Sequence, residues 1–528
     1  MHPLSIFHRS AASRLRDAAS EPWLFVARVI ALAAALSCGA SMTSAQEVEW
    51  LHQFGTEGYD DGTGIAAHES GVYVIGRVQG ALPGQTARGV TDSFVRKYDL
   101  SGVEIWTRQF SLNDNITSAN AIDVDDTGVY VAGSSFCAVE GPQCGGFVRK
   151  YGQSGNLIWT HAFPVFPIGD LPTTMLDVFG IDVDATGIYV AGSGILNGSA
   201  TALVSRLDPM GNEVWKKLVA LPFPHPEFGF LQDAFASGIA VDATGVYVAG
   251  SLGTADVLRL DFNGTLVDEY GDGTLRAGDH AEILATDDSG VYVTATPCPP
   301  DCQSIAVRKF DRNGNELWTR KVPDTSIGGD LAIDEHGVYL TGALEPEFFM
   351  FSAFVVKYEK DGDLDWVHEL DTNGFERGYG LAAHDGKLYV TGFTDDVFPG
   401  QTATPLQDVF VAALNQRSVP HVLSDILPTK INPRSNGVIP LVIFTTPDFD
   451  ATRVDPLSVR FGPGAAVEAH GRGHLQDADG DGDTDLVLHF ATRATAIACG
   501  DTEASFSGET FAGDPIEGSD TFATTGCR

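Results

Sequence analysis

Gly71-Val72-Tyr73-Val74 returns along this chain as Gly128-Val-Tyr130-Val, Gly187-Ile-Tyr189-Val, Gly245-Val-Tyr247-Val, Gly290-Val-Tyr292-Val, Gly337-Val-Tyr339-Leu and Lys387-Leu-Tyr389-Val. The tyrosines are 57, 59, 58, 45, 47 and 50 residues apart, the period of a supersecondary unit that stacks on copies of itself. Val72 and Val74 take one face of a strand and Tyr73 the other. A short apolar strand and a turn precede each motif, as in Ile181-Asp-Val-Asp-Ala-Thr-Gly187. A second hairpin follows, as in Phe94-Val-Arg-Lys-Tyr-Asp99, Ser101-Gly102 and Ile105-Trp106-Thr-Arg-Gln-Phe110. Four short strands per unit, here a to d, form a propeller blade. The expectation is an all-β chain with a seven-bladed β-propeller over residues 46–416.

Trp106, Trp159, Trp215, Trp318 and Trp366 fall on strand d and read as packing anchors between blades. Blade 4 carries Val267-Asp-Glu-Tyr270 in their place. The seventh unit ends at strand c, Asp408-Val-Phe-Val-Ala-Ala-Leu414, with no strand d after it. Trp50-Leu-His-Gln-Phe54 matches Trp106-Thr-Arg-Gln-Phe110, so the N-terminal strand is expected to complete that blade and leave no open edge.

Asp92-Ser-Phe-Val-Arg-Lys-Tyr-Asp99, Ser101-Gly102 and Trp106, with Leu82-Pro-Gly-Gln-Thr-Ala87, resemble the bacterial SBBP β-propeller repeat over about residues 48–416. The resemblance implies an exported scaffold more than an activity. The Asp99, Gly102, Trp106 spacing also resembles the docking motif of quinone-cofactor propellers, where it serves packing.

Residues 1–45 read as a signal peptide. Arg9, Arg14 and Arg16 precede the apolar Val29–Leu36 run, and small residues end at Ala45. An uncleaved anchor fits less well, because Arg28 interrupts the Trp23–Leu36 stretch. Cys38 only faintly matches a lipoprotein box. No later segment reads as transmembrane, so a secreted or cell-surface location is expected. Lys+Arg 33 against Asp+Glu 70 gives a net charge of −37, which argues against nucleic acid and anionic membranes as partners. In an exported chain the remaining six cysteines are expected as disulfides, pairing most cheaply as neighbours: Cys137 with Cys144, Cys298 with Cys302, Cys499 with Cys527. Zinc on Cys298 and Cys302 lacks a second ligand pair.

The a–b and c–d turns are short and uniform, whereas the b–c and d–a loops of the opposite face vary, and variable loops on a rigid scaffold carry function. The candidate binding face there comprises Phe166, Phe223, Phe228, Phe230, Phe348, Phe349 and Phe351, as an interaction patch or as a lid over the channel mouth. No nucleophile elbow, His-Glu-x-x-His or phosphate loop occurs. His52, His161, His368, His68 and His384 are scattered over strands and read as packing or surface residues. The leading function is non-catalytic binding or scaffolding of an extracellular carbohydrate, matrix or protein partner. The competing class is a propeller enzyme, a quinone-dependent oxidoreductase or a hydrolase/lyase, with its site at the channel mouth.

Residues 417–436 read as a linker and 437–528 as a β-sandwich, with strands expected at 437–444, 457–461, 485–490 and 495–499. The segment Ile431-Asn-Pro-Arg-Ser-Asn-Gly-Val-Ile-Pro440 resembles a C-terminal domain of assorted bacterial extracellular proteins. Asp477, Asp479, Asp481, Asp483 and Asp485, with Gly482 at the turn, match the first nine positions of an EF-hand-type loop. A structural Ca2+ is the expected cofactor. Leu488 stands where a bidentate Glu belongs, so the loop needs an oxygen from elsewhere and binds weakly. His470 and His474, just upstream, read as surface residues.

Overall fold

The structure, a computed structural model, describes residues 48–112, 114–136, 144–163, 175–196, 199–220, 223–224, 231–232, 234–252, 255–271, 283–295, 305–322, 325–347, 350–372, 374–416, 422–427, 429–446, 449–511 and 515–527. The expected signal peptide, Cys137, Cys298 and Cys302 lie outside them. The chain divides into two compact units, one spanning Ala45–Val419 and the other holding Pro420–Arg528.

The first unit contains seven four-stranded antiparallel sheets among the described residues. Sheet 1 runs Asp61–His68 (a), Gly71–Val78 (b), Asp92–Tyr98 (c) and Glu104–Phe110 (d). Strands a of sheets 2 to 7 are Ile116–Asp125, Met175–Asp184, Phe235–Asp242, Leu284–Asp287, Thr325–Asp334 and Glu376–His384. Each touches strand a of the next sheet, and that of sheet 7 touches that of sheet 1, so the sheets form a closed, β-propeller-like ring.

Alternation builds this ring. Val72 and Val74 pack with Val409 and Val411 of sheet 7, whereas Tyr73 and Ile75 pack with Val129 and Val131 of sheet 2. Each strand b therefore feeds two inter-sheet cores, and every fully buried valine adds roughly 1.5–3 kcal/mol.

Sheet 7 is completed by Val48–Phe54, which pairs antiparallel with Asp408–Asn415. Its side chains repeat those of strand d in sheet 1. Gln109 Nε2 donates to Asp92 Oδ2 at 2.9 Å and to the Gly80 carbonyl at 2.8 Å. Gln53 Nε2 donates to Asp408 Oδ2 and to the Asp396 carbonyl, both at 2.8 Å. Gln109 Oε1 accepts from the Leu82 N–H, and Gln53 Oε1 from the Phe398 N–H.

Neighbouring sheets are stapled by the strand-d aromatics. Trp106 Nε1 donates to the Gln153 carbonyl (3.1 Å), Trp215 Nε1 to Phe262 (3.0 Å) and Trp318 Nε1 to Lys360 (3.2 Å), each in the c–d turn of the next sheet. Trp50 donates to Leu100 in sheet 1 across the seam (3.4 Å). The turn glycines lie flat against these rings. A Cβ on Gly155 would stand 2.7 Å from Trp106, and its φ of +78° is already in the left-handed region. The Asp99, Gly102, Trp106 run therefore acts in packing here.

In the second unit Ser424–Ile426, Val438–Ile443, Asp485–Ala491 and His474–Gln476 form one sheet, and Arg460–Phe461, Glu503–Glu509 and Pro515–Thr521 another. Leu441, Leu488 and Phe490 from the first share a core with Phe506 and Ile516 from the second. Three expectations are corrected. Part of the stretch read as linker belongs to this unit, because Val422, Ile426 and Ile431 bury their side chains in its core. Thr495–Cys499 is irregular backbone and not a strand, because Ala496 adopts φ +53° and a strand does not pass through the left-handed region. Of 457–461 only Arg460–Phe461 is strand. Cys499 and Cys527 are disulfide-bonded, with Cα atoms 5.7 Å apart.

Candidate functional site

The a strands enclose a cavity of about 780 Å³ on the ring axis. Its wall mixes small residues, Gly64, Ala66, Gly180 and Gly238 among them, with larger apolar ones such as Ile122 and Phe179. Neighbouring a strands approach closely: a Cβ on Gly380 would lie 2.8 Å from the Gly64 Cα. Against this wall stand two acids, two arginines and a tyrosine.

The acids hold the ring together. Asp330 Oδ2 accepts the Leu381 N–H of sheet 7 at 2.9 Å, and Oδ1 accepts its neighbour Leu331 N–H at 2.8 Å. Asp123 Oδ2 accepts the Val183 N–H of sheet 3 at 2.7 Å. Behind the wall, Asp182 repeats the contact to Val241 of sheet 4 at 2.6 Å. Burial pushes the Asp330 and Asp182 carboxyls up to about 6 against these hydrogen bonds. Asp123 rises well above the usual carboxylate range through burial and the charge of Asp182.

Arg77, on strand b of sheet 1, makes a two-pronged pair with Asp61: Nε donates to Oδ1 at 2.9 Å and Nη2 to Oδ2. Burial disfavours this cation, but Asp61 outweighs it and the Arg77 pKa rises. Arg377, on strand a of sheet 7, donates through Nη2 to the Gly328 carbonyl at 2.9 Å, and its guanidinium lies 4.6 Å from the Tyr379 ring centroid. Its Nε is buried with no acceptor among the described residues, and burial lowers its pKa. Asp61 and Arg377 begin strands a and Arg77 nears the end of a strand b. All three therefore sit at the end of the ring from which the variable b–c and d–a loops leave.

A row of packed aromatics leads from Tyr379 at this mouth through Phe393, which is buried, to the half-buried Phe375 and Phe351. Tyr379 lies 5.7 Å from Phe393, Phe393 stacks on Phe375 at 5.4 Å, and Phe375 meets Phe351 edge-on at 4.5 Å. Phe351, half-buried, is thus the one expected face residue whose surroundings are described. Phe223 lies on the short strand Phe223–Pro224. Phe166, Phe228, Phe230, Phe348 and Phe349 lie outside the described residues. Sequence reasoning missed Phe375, Tyr379, Arg77 and Arg377. The available signal was an arginine inside an otherwise buried strand, as in Gly76-Arg77-Val78.

In the second unit, carboxylate oxygens of Asp477, Asp479 and Asp485 lie within 4.8 Å of one another. Asp485 is buried, accepting the Thr445 N–H (2.9 Å) and the Ala478 N–H (2.7 Å). Asp481 and Asp483 are not in this group. Asp481 Oδ1 accepts the Asp483 N–H at 3.1 Å, and hydrogen bonding to Asp481 pushes the Asp483 carboxyl up to about 6. Of the histidines, His52 Nε2 lies 2.7 Å from the Gly102 carbonyl and its ring stacks on Tyr98 at the seam. Burial lowers the pKa of both His161 and His368. His470 and His474 are joined by His489, which the sequence reading passed over.

No protein-family model matches the chain, and no curated protein matches it. Among solved structures it is similar to the Neurospora crassa Pan2 WD40 domain at 11% identity and TM-score 0.43, covering 72% of this chain and 99% of that one. The phage phi92 endosialidase follows at 10% and 0.38, covering 90% and 87%. A glucose dehydrogenase gives 14% and 0.34, covering 55% and 94%. Values this low carry no reading of chemistry from those proteins to this one.

Proposed function

We propose that the chain is an exported, non-catalytic binding protein, a seven-bladed β-propeller whose channel mouth takes a carboxylate-bearing extracellular carbohydrate. A calcium-stabilised β-sandwich follows the propeller. The observation that carries this reading is the meeting of Arg77, Arg377 and the Tyr379–Phe393–Phe375–Phe351 row at one end of the cavity. Guanidinium groups recognise carboxylates through paired N–H donors, and aromatic faces receive the apolar faces of sugar rings. In a chain of net charge −37, Arg377 is the cation left to receive an acidic group, since Arg77 is paired with Asp61 while the Arg377 Nε has no acceptor among the described residues. The repeat spacing and the closing N-terminal strand support membership of the SBBP-repeat proteins, and with it export. The grouping of Asp477, Asp479 and Asp485 supports calcium. The enzyme alternative draws less support, since Asp123 and Asp330, the wall acids, are engaged by main-chain N–H groups of adjacent sheets.

The test is a glycan array probed with the full chain and with Arg377→Ala. Binding to uronate-bearing glycans that fades with salt and is lost in the variant supports the reading. Equal binding by both proteins, or a preference for neutral glycans, overturns it. Release of a product from any bound glycan favours the enzyme.

A further inference from the structure

The strongest unassigned constellation lies on the hairpin His474–Gln476 and Asp485–Ala491. His474 pairs with Val487, which puts His489, two residues on, on the same face of the sheet. The segment before the hairpin returns to that face. Glu468 bridges Phe490, and the Ala469 N–H donates to the His489 carbonyl at 2.7 Å. Three imidazoles result, with ring centroids 4.9–5.6 Å apart and one ligand nitrogen from each within 4.8 Å of the others.

We propose that His470, His474 and His489 form a mononuclear site for a borderline first-row divalent cation of the Zn2+ class. His470 Nδ1 and His474 Nε2 stand 3.4 Å apart. Two nitrogens bound tetrahedrally at about 2.0–2.1 Å from one zinc ion are separated by about 3.3–3.4 Å. His489 Nδ1 is buried with no hydrogen-bond partner among the described residues, an arrangement that leaves its ring free to be fixed by a metal. Imidazole nitrogen selects zinc-like ions over calcium, which takes oxygen. Three histidines leave a fourth position, and the exposed edge of His470 opens it to solvent.

Glu468 supplies the support such a site needs. Its side chain is fully buried. Oε2 accepts the His470 N–H at 2.5 Å and the Arg472 N–H at 3.1 Å, while Oε1 accepts the His489 N–H at 3.2 Å. The carboxylate thus fixes the main chain of two ligands, with Oε1 3.7 Å from His470 Nδ1. Glu468 is a positioning residue.

The test titrates the metal-free full chain with Zn2+ against a chromophoric chelator in excess Ca2+, and separately with Co2+ followed by visible absorption. The expected result is one zinc per chain and a tetrahedral-type Co2+ spectrum. His474→Gln and His489→Gln should each weaken binding at least about tenfold, no less than losing an outer-shell partner does. No stoichiometric zinc, or binding that survives in the histidine variants and vanishes in Asp479→Ala, overturns the proposal. Should a histidine variant fail to fold, the unmodified chain still decides, because an octahedral, oxygen-type Co2+ spectrum is equally fatal.

Discussion

The Tyr270 hydroxyl donates to the Arg312 carbonyl at 3.0 Å, which is the contact that a tryptophan indole makes at the corresponding seams. Asp268 holds the tryptophan's register position, opposite Arg259, and Tyr270, two residues on along the same face, receives Gly314 against its ring as Trp106 receives Gly155. The fourth sheet is therefore stapled by a different residue through the same carbonyl. Tyr270→Phe should cost about 1 kcal/mol, one hydrogen bond, and Tyr270→Trp should restore most of it. Gly314→Ala should cost more, at least about 2 kcal/mol, since its φ is +79° and the new Cβ would stand 2.6 Å from the ring. Urea melts of the three variants rank these effects, and an Ala variant as stable as the parent contradicts the close approach.

Removal of residues 46–55 should abolish the cooperative melt of the first unit. It deletes Trp50 and Gln53 and leaves Asp408–Asn415 as an open edge. Differential scanning calorimetry reads this directly, and an unchanged transition excludes closure by that strand.

The Asp330 carboxyl, raised by burial to about 6, predicts a signed pH effect. An unfolded aspartate titrates near 3.9, so between roughly pH 4 and 6 the folded state holds a proton that the unfolded state has released. Stability from this group is complete below about pH 4 and is lost as pH rises through 6, by at most about 1.4 kcal/mol per pH unit. Asp330→Asn keeps one acceptor for the Leu381 N–H and cannot ionise. Relative to the parent it should gain stability from pH 4 to 6 and show a constant difference above. Parallel curves for the two proteins would remove Asp330 as the source.

Calcium at about a hundred times its Kd should stabilise the second unit by about 2.7 kcal/mol, with a Kd of about 10⁻⁴ M as in extracellular modules. Asp479→Ala, at an exposed position, should erase the shift without lowering the chelator-treated baseline. A melt indifferent to calcium in both proteins removes the ion from this loop.

The repeat was legible because it is periodic: the same tyrosine, turn and tryptophan spacing recurs until the pattern outweighs any one copy. The candidate mouth was not, because Arg77 and Arg377 belong to sheets 1 and 7 and become neighbours only when the ring closes. The aromatic row was half legible. Phe351 stood in an obvious aromatic run, but Phe375 and Phe393 reach it from sheet 7. His489 looked like one polar position of an alternating strand, and only the register against His474 reveals its company. Thr495–Cys499 misled because apolar alternation carries no sign of Ala496 turning into the left-handed region.

Gln53 bonds Asp408 across 355 residues of chain. A polypeptide leaves the ribosome, or crosses a membrane, from its N-terminus. The first strand to emerge is therefore the last to find its partner, and it waits with unpaired N–H and C=O groups while six sheets assemble beyond it. Contacts this remote slow folding, and an idle edge invites pairing with a second chain. Synthesis of this protein thus has a vulnerable interval that ends only when residues 408–415 arrive, and whatever shields Val48–Phe54 until then sets the yield of closed rings.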